Sequence, residues 1–246
     1  MVMKMLGGKK GKTKKKEEVQ HCRILTDLLD PSSDGVESWR VFRIMSEFVV
    51  GFELLRRHGL AATFFGSARC GAGDEVYADA EALAASLAKK GFAIITGGGP
   101  GVMEAANVGA FKVGGKSIGL NIKLPMEQRL NPYVTETETF DFFFSRKVML
   151  AFASEVYVYF PGGFGTMDEL FELVTLIQTK KIEPVPIVLY GKEFWTPLVD
   201  WMKSDLLKKH KTIGKDDLDI FHIVDSVDEA TKYILKNVDC KNIRQV

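Results

Sequence analysis

The residues best suited to do chemistry are Pro161-Gly162-Gly163-Phe164-Gly165-Thr166-Met167-Asp168-Glu169. Ahead of them, Glu155 to Phe160 is an apolar, β-branched and aromatic run that reads as a buried strand. After them, Leu170 to Gln178 has helical periodicity. A strand that ends in a glycine turn and opens a helix points several backbone N–H groups, and the positive end of a helix dipole, at one spot. That arrangement suits a phosphate. Thr166 and Glu169 also spell a capping box, T-x-x-E, which would start the helix by itself. A capping box does not need Pro161 or the glycines. Glycine carries an entropic cost and is useful where backbone bends sharply or approaches a ligand closely.

Two further loops have the same character. Phe92 to Thr96 reads as a strand and enters Gly97-Gly98-Gly99-Pro100-Gly101, with Pro100 at or near the first turn of a helix running through Asn107. Ala61 to Phe65 reads as a strand ending in Gly66-Ser67-Ala68-Arg69. The elements that must position these loops follow from periodicity. Residues 37–57 form a helix with a broad apolar face, expected to pack on the sheet or on a second subunit. Residues 74–90 form a helix that Gly91 stops. Ser117 to Ile122 and Val134 to Thr139 are strands, and Asp141 is a candidate cap for a helix holding Arg146 and Leu150. Val185 to Tyr190 and Asp219 to Val224 are strands, with helices at 193–208 and 226–237. Strands alternating with helices imply a Rossmann-like, doubly wound, mostly parallel sheet with helices on both faces. Ligands bind such sheets beyond the carboxyl ends of the strands, so the three loops should converge on one crevice.

Bulk properties narrow the function. The 246 residues are 46% hydrophobic with a formal net charge of +1. That is enough for a sizeable core, and the overall charge gives no reason to expect nucleic acid. No apolar run reaches a membrane span, and the basic N-terminus lacks the apolar stretch of a secretory signal. Residues 1–20 read as a lysine-rich disordered tail, and 21–246 as a single nucleotide-binding α/β domain with an N-terminal helical extension. Cys22, Cys70 and Cys240, with His21, His58, His210 and His222, are scattered and make neither a disulfide framework nor a metal spacing. A cytoplasmic protein with neither metal nor cofactor is the expectation.

The glycine loops do not fit two common nucleotide sites. From Gly97 and Gly99 the third position of G-x-G-x-x-G is Val102, and Asn121-Ile122 stands where a ribose-binding acid should end the next strand. No Gly-Lys-Ser/Thr follows a glycine loop either, so a Walker site is absent. The string Gly97-Gly98-Gly99-Pro100-Gly101-Val102-Met103-Glu104-Ala105-Ala106-Asn107, taken with the complete P-G-G-x-G-T-x-x-E at 161–169, resembles the Lonely guy family. These are cytokinin riboside 5′-monophosphate phosphoribohydrolases once labelled lysine decarboxylases. Phe64 to Arg69 is similar to the family's first strand and loop. The likeness covers roughly residues 60–235 and is closest to the larger, bacterial-type branch.

The resemblance implies hydrolysis of the N-glycosidic bond of a nucleoside 5′-monophosphate, AMP or a cytokinin riboside 5′-monophosphate, to base and ribose 5-phosphate. It implies Glu169 and Arg146 as the catalytic pair. It implies substrate contacts at Gly98, Gly99, Glu127, Arg146, Lys147, Gly162, Gly163, Phe164, Gly165, Thr166, Met167, Asp168, Glu169 and Thr175. It also implies a homodimer or higher assembly, in keeping with the apolar face at 37–57 and the phenylalanines at 140–144. Three alternatives stand beside these roles. Arg146 lies over apolar surface with its head in water. Glu104 either lines the site or serves the helix dipole. Asp168 and Glu172 are solvated charges. The alternative to an enzyme is a carrier resembling molybdenum cofactor carrier proteins. A pyridoxal-phosphate decarboxylase is disfavoured, because no lysine lies in the phosphate loop.

Overall fold

The computed structural model describes residues 34–124 and 130–238. By packing, the chain divides into two compact units, residues through Phe42 and residues from Arg43 onward. In the first, the described residues open helix α1 (Asp34–Arg56), and the rings of Trp39 and Phe42 meet at 6.1 Å. The second holds the sheet.

Seven strands make that sheet: β1 (Ala61–Phe65), β2 (Ala93–Thr96), β3 (Ser117–Ile122), β4 (Glu136–Phe140), β5 (Val156–Tyr159), β6 (Ile187–Tyr190) and β7 (Phe221–Val224). Their order is β4-β3-β2-β1-β5-β6-β7, and every adjacent pair is parallel. Between them run α2 (Glu75–Ala88), α3 (Val102–Lys112), α4 (Phe143–Ala151), α5 (Phe164–Gln178), α6 (Lys192–Trp201) and α7 (Val227–Asn237). The fold is Rossmann-like, as the alternation of elements predicts. The strand order reverses between β1 and β5, and such a switch point leaves a crevice at the carboxyl ends of the strands.

The strands are apolar without alternation because both faces are covered. Phe65, Ile95, Leu120, Tyr159 and Leu189 point to the face covered by the end of α1 and by α4, α5 and α6. Phe64, Ile94, Val158 and Val188 point to the other face, against α2, α3 and α7. The edge strand β4, Glu-Thr-Glu-Thr-Phe, is only half buried, and its charges suit a strand with one free side. Gly91 ends α2 with φ +92°. Its N–H and that of Phe92 bond back to Ala88 O and Leu87 O, a Schellman pair that only a residue tolerant of positive φ closes easily.

Two local expectations are corrected. Asp141 does not cap α4; Phe142 holds the cap position and makes no side-chain cap bond. The Asp141 carboxylate is drawn instead to Arg43 at 2.5 Å and Lys123 at 3.8 Å, while its N–H donates to Glu47. The helix expected over 193–208 stays α-helical only to Trp201, then widens into π-type turns over Met202–Lys209. The broad apolar face of α1 is only partly used. Leu54 and Leu55 enter the core, whereas Met45, Val49, Val50 and Phe52 are exposed. No helix among the described residues is long and apolar enough to cross a membrane.

Candidate active site

A cleft of about 670 Å³ opens at the carboxyl ends of the central strands, lined by the loops after β1 and β5, by Gly97 and Met103, by the end of β3 and by the starts of α4 and α5. The register explains why the loops meet. Phe65 of β1 pairs with Tyr159 of β5, so the two strands end level. The Ser67 N–H then donates to Pro161 O at 3.0 Å, and the Val102 N–H donates to Ser67 O at 3.0 Å. The volume is in the usual range for a small-molecule site, roughly 300–1,000 Å³.

Helix α5 begins three residues earlier than a Thr166 cap would start it. Gly163 is its N-cap, without a side-chain bond, and Phe164 is its first residue. The capping box read at 166–169 is therefore absent here. A similar pair of bonds occurs instead at the start of α7, where the N-cap Ser226 Oγ accepts from Glu229 N–H and Glu229 Oε2 accepts from the N–H of the preceding Asp225. With the helix already under way at Phe164, Thr166 turns inward and is buried. A Cβ on Gly162 would lie 2.1 Å from Thr166 Oγ1, so Gly162 is there to admit that buried threonine. Gly163 and Gly165 have open space where a Cβ would be, facing the cleft.

Glu169 lies one turn into α5 and lines the cleft with its side chain 13% exposed. Burial is the main force that raises its pKa, to about 7; Lys147 and Arg146 oppose the rise, and Glu172 and Asp168 add to it. Arg146 lines the same cleft from α4. Its Nε donates to Leu120 O at 2.9 Å, and its Nη2 packs so closely on Gly97 that a Cβ there would lie 2.6 Å away. Burial lowers the Arg146 pKa, and the charge of Glu169 works against that; an arginine remains a cation throughout the ordinary pH range. A largely buried carboxyl group and a largely buried guanidinium thus line the same cleft.

Lys147 does not line the cleft. Its Nζ lies 2.5 Å from Asp168, 2.8 Å from Glu172 and 3.7 Å from Glu169. Burial alone would lower its pKa, but its bonds to Asp168 and Glu172 prevail and raise it. Asp168 and Glu172 are accordingly partners of Lys147 and not simply solvated charges.

Of the residues named from sequence, the structure gathers Arg146, Gly163, Phe164, Gly165, Thr166, Asp168 and Glu169 around the cleft. It places others outside the lining. Gly98 and Gly99 are buried and turn their carbonyls to the Asn131 amide at 3.1 Å each. Gly162 lies beneath Thr166, and Met167 packs on the core. Thr175 is exposed and bonds its own helix at Phe171 O. Glu127 lies outside the described residues. Glu104 does not line the cleft either; it accepts a long bond from Tyr77 at 3.4 Å.

Sequence reasoning named Arg69 only as part of the 66–69 loop, without a role of its own, and passed over Phe143 and Leu124; all three line the cleft. Signals for two of them were present. Phe143 is one helical turn ahead of Arg146 and so shares its face. Arg69 follows the strand at the switch point, where ligand contacts concentrate.

Comparison with known proteins agrees with this architecture. The family model described as "Possible lysine decarboxylase" matches residues 103–234. An uncharacterized protein of Archaeoglobus fulgidus is 31% identical over 128 residues, covering 50% of this chain and 82% of that protein. The molybdenum cofactor carrier protein MCP from Chlamydomonas reinhardtii superposes with a TM-score of 0.53 at 23% identity, over 72% of this chain and 96% of its own. The molybdenum cofactor binding protein from Rippkaea orientalis gives 0.51 at 22% identity, over 72% and 94%. The X-ray structure of TM1055 gives 0.51 at 22%, over 72% and 99%. At these identities the solved structures share the fold. The family match spans over half the chain and includes both Arg146 and the 161–169 loop, so this protein belongs to the possible lysine decarboxylase family, the Lonely guy family.

Proposed function

We propose that the protein hydrolyses the N-glycosidic bond of a nucleoside 5′-monophosphate, AMP or a cytokinin riboside 5′-monophosphate, releasing free base and ribose 5-phosphate. The observation that carries this reading is the largely buried Glu169 carboxyl group lining one cleft with the Arg146 guanidinium, beside a glycine loop that opens a helix. The N–H groups of the first helical turn have no partners within the helix and favour an anion. The 5′-phosphate docks there, with the ribose extending toward Glu169.

In the reaction the C1′–N bond breaks, and its electron pair leaves with the base. The sugar becomes oxocarbenium-like, water adds its oxygen to C1′, and one water proton is lost. A carboxylate at Glu169 stabilises the sugar cation and takes that proton, while the departing base takes up one proton from solvent, so that it leaves neutral. With its pKa at about 7, the group is poised to exchange protons near neutrality. Arg146, held by Leu120 O and the Gly97 surface, orients the nucleotide and assists departure of the base.

Incubation with AMP, followed by chromatography for free adenine, tests the reading. Nucleotide that binds but stays intact favours the second reading, a carrier resembling the molybdenum cofactor carrier protein MCP that shares this fold. Pyridoxal-phosphate chemistry does not fit. It needs a lysine at the cofactor, and among the described residues no lysine lines the cleft, while Lys147 is held by three carboxylates. The exposed Met45, Val49, Val50 and Phe52 of α1 support a homodimer, which light scattering at micromolar concentration checks.

A further inference from the structure

We propose that Arg69 is the anion-recognition residue of this cleft and sets its preference for phosphate monoesters over uncharged nucleosides. The inference rests on the reading above for the position of the phosphate. Its starting point is which cations near the cleft are already engaged. Arg146 donates to Leu120 O, packs on Gly97 and feels the charge of Glu169. Lys147 is held by Asp168, Glu172 and Glu169. Arg69 lines the cleft, is exposed, and has no acid partner for its guanidinium among the described residues.

Charge then requires a further cation. Asp168 and Glu169 line the same cleft, and their charges offset those of Lys147 and Arg146 before any phosphate binds. The start of α5 supplies the equivalent of roughly half a positive charge. That leaves most of the dianion uncompensated, and Arg69 is the available side chain. A guanidinium also matches two phosphate oxygens at once.

The loop that carries Arg69 is rigid, so the charge is held at the cleft. Ser67 Oγ accepts from the Arg69 N–H at 3.1 Å. The Ser67 N–H holds Pro161 O, and Ser67 O holds the Val102 N–H. Gly101 has φ +73°, and a Cβ there would lie 2.2 Å from Ser67 O and 2.7 Å from Ala68. A Cβ on Gly66 would lie 2.6 Å from Val102 Cγ2. The 66–69 loop is therefore wedged between the other two glycine loops, and only the arginine side chain is free to reach into the cleft.

The test is calorimetric titration of ribose 5-phosphate at low ionic strength into the parent and Arg69→Gln, alongside steady-state kinetics with AMP. Ribose 5-phosphate should bind the variant on the order of tenfold or more weakly, with a flatter salt dependence. KM for AMP should rise by a similar factor while kcat moves much less, and Arg69→Lys should recover part of the loss. Unchanged ribose 5-phosphate affinity in Arg69→Gln overturns the proposal, as does a parent protein that does not bind this probe. The two readings fail separately. A parent that binds ribose 5-phosphate through Arg69 but leaves AMP intact sinks the hydrolase reading and keeps Arg69. A parent that cleaves AMP with a KM indifferent to Arg69→Gln does the reverse.

Discussion

Two loops of this chain look alike as sequence. Residues 97–101 and 161–165 both follow a buried strand, both contain one proline and several glycines, and both end at the N-terminus of a helix. In the structure they serve different needs. The 97–101 loop is almost wholly internal. Gly98 and Gly101 have positive φ, the carbonyls of Gly98 and Gly99 are tied to Asn131, and Gly101 has no room for a Cβ. Behind it, Asn107 links Thr96, Ser117 and Asn131 in a buried hydrogen-bonded network. In the 161–165 loop, by contrast, Gly163 and Gly165 have ordinary room, and what lies beside them is the open cleft. Glycine in the first loop answers to packing, as does Gly162 in the second, whereas Gly163 and Gly165 leave the cleft open.

The sharpest way to break this contrast is Gly101→Val. A β-branched residue at positive φ, pressed into Ser67 O, should destabilise the fold by about 3 kcal/mol or more. Chemical denaturation or loss of soluble protein reads the effect. A stable Gly101→Val protein would mean the first loop is not a packing element.

Glu169→Gln probes the helix that follows the second loop. Turnover of AMP should fall by on the order of a hundredfold or more. Stability should move the other way above neutrality. The folded-state pKa of Glu169, about 7, exceeds the ordinary 4.5, so its contribution to stability is full below 4.5 and is lost as pH rises through 7. Glutamine cannot ionise, so the variant should melt higher than the parent at pH 8 and nearly level with it at pH 4. Scanning calorimetry at the two pH values checks the sign.

Gly163→Val completes the contrast with Gly101→Val. Its backbone, φ −93° and ψ −156°, accepts any residue, and no atom opposes a Cβ. The melting temperature should stay within a few degrees, since an apolar N-cap costs at most about 1 kcal/mol relative to glycine. AMP affinity should fall by roughly tenfold or more because the side chain fills the approach to the loop. Equal destabilisation by the two valines would erase the distinction.

The smallest effect is expected from Lys147→Met. The groups facing Glu169 are Arg146 and Lys147 from α4, Asp168 and Glu172 from α5, and Tyr159 from β5, whose hydroxyl donates to Glu169 O. Removing the lysine leaves Asp168 and Glu172 uncompensated, so the Glu169 midpoint rises. The rising limb of the pH–rate profile should shift alkaline by about one unit or less. An unmoved limb would show that Lys147 only braces α5.

Much of the fold was legible in the chain itself. Strand and helix alternation follows from local periodicity, and the parallel doubly wound sheet follows from the alternation, because short connections and right-handed crossovers leave few other topologies. The 161–169 string was enough to find the cleft. Its internal detail was not enough, because T-x-x-E matches a capping box whose bonds depend on where the helix starts, and the helix starts at Phe164. Sequence placed Gly98 and Gly99 with the ligand because a glycine required by packing and one required by a ligand are the same letter.

Side-chain identity thus determined the elements, their order and the presence of a strand–glycine–helix site, since each depends on neighbours a few positions away. Tertiary structure alone decided which charges are free. Lys147 faces the carboxylates of Asp168, Glu169 and Glu172 from another helix, Arg146 is fixed by the carbonyl of Leu120, and Arg69 is left without a described partner beside the cleft. Those pairings join residues about twenty or more positions apart in the chain, and the energy of a charge depends on what surrounds it in space.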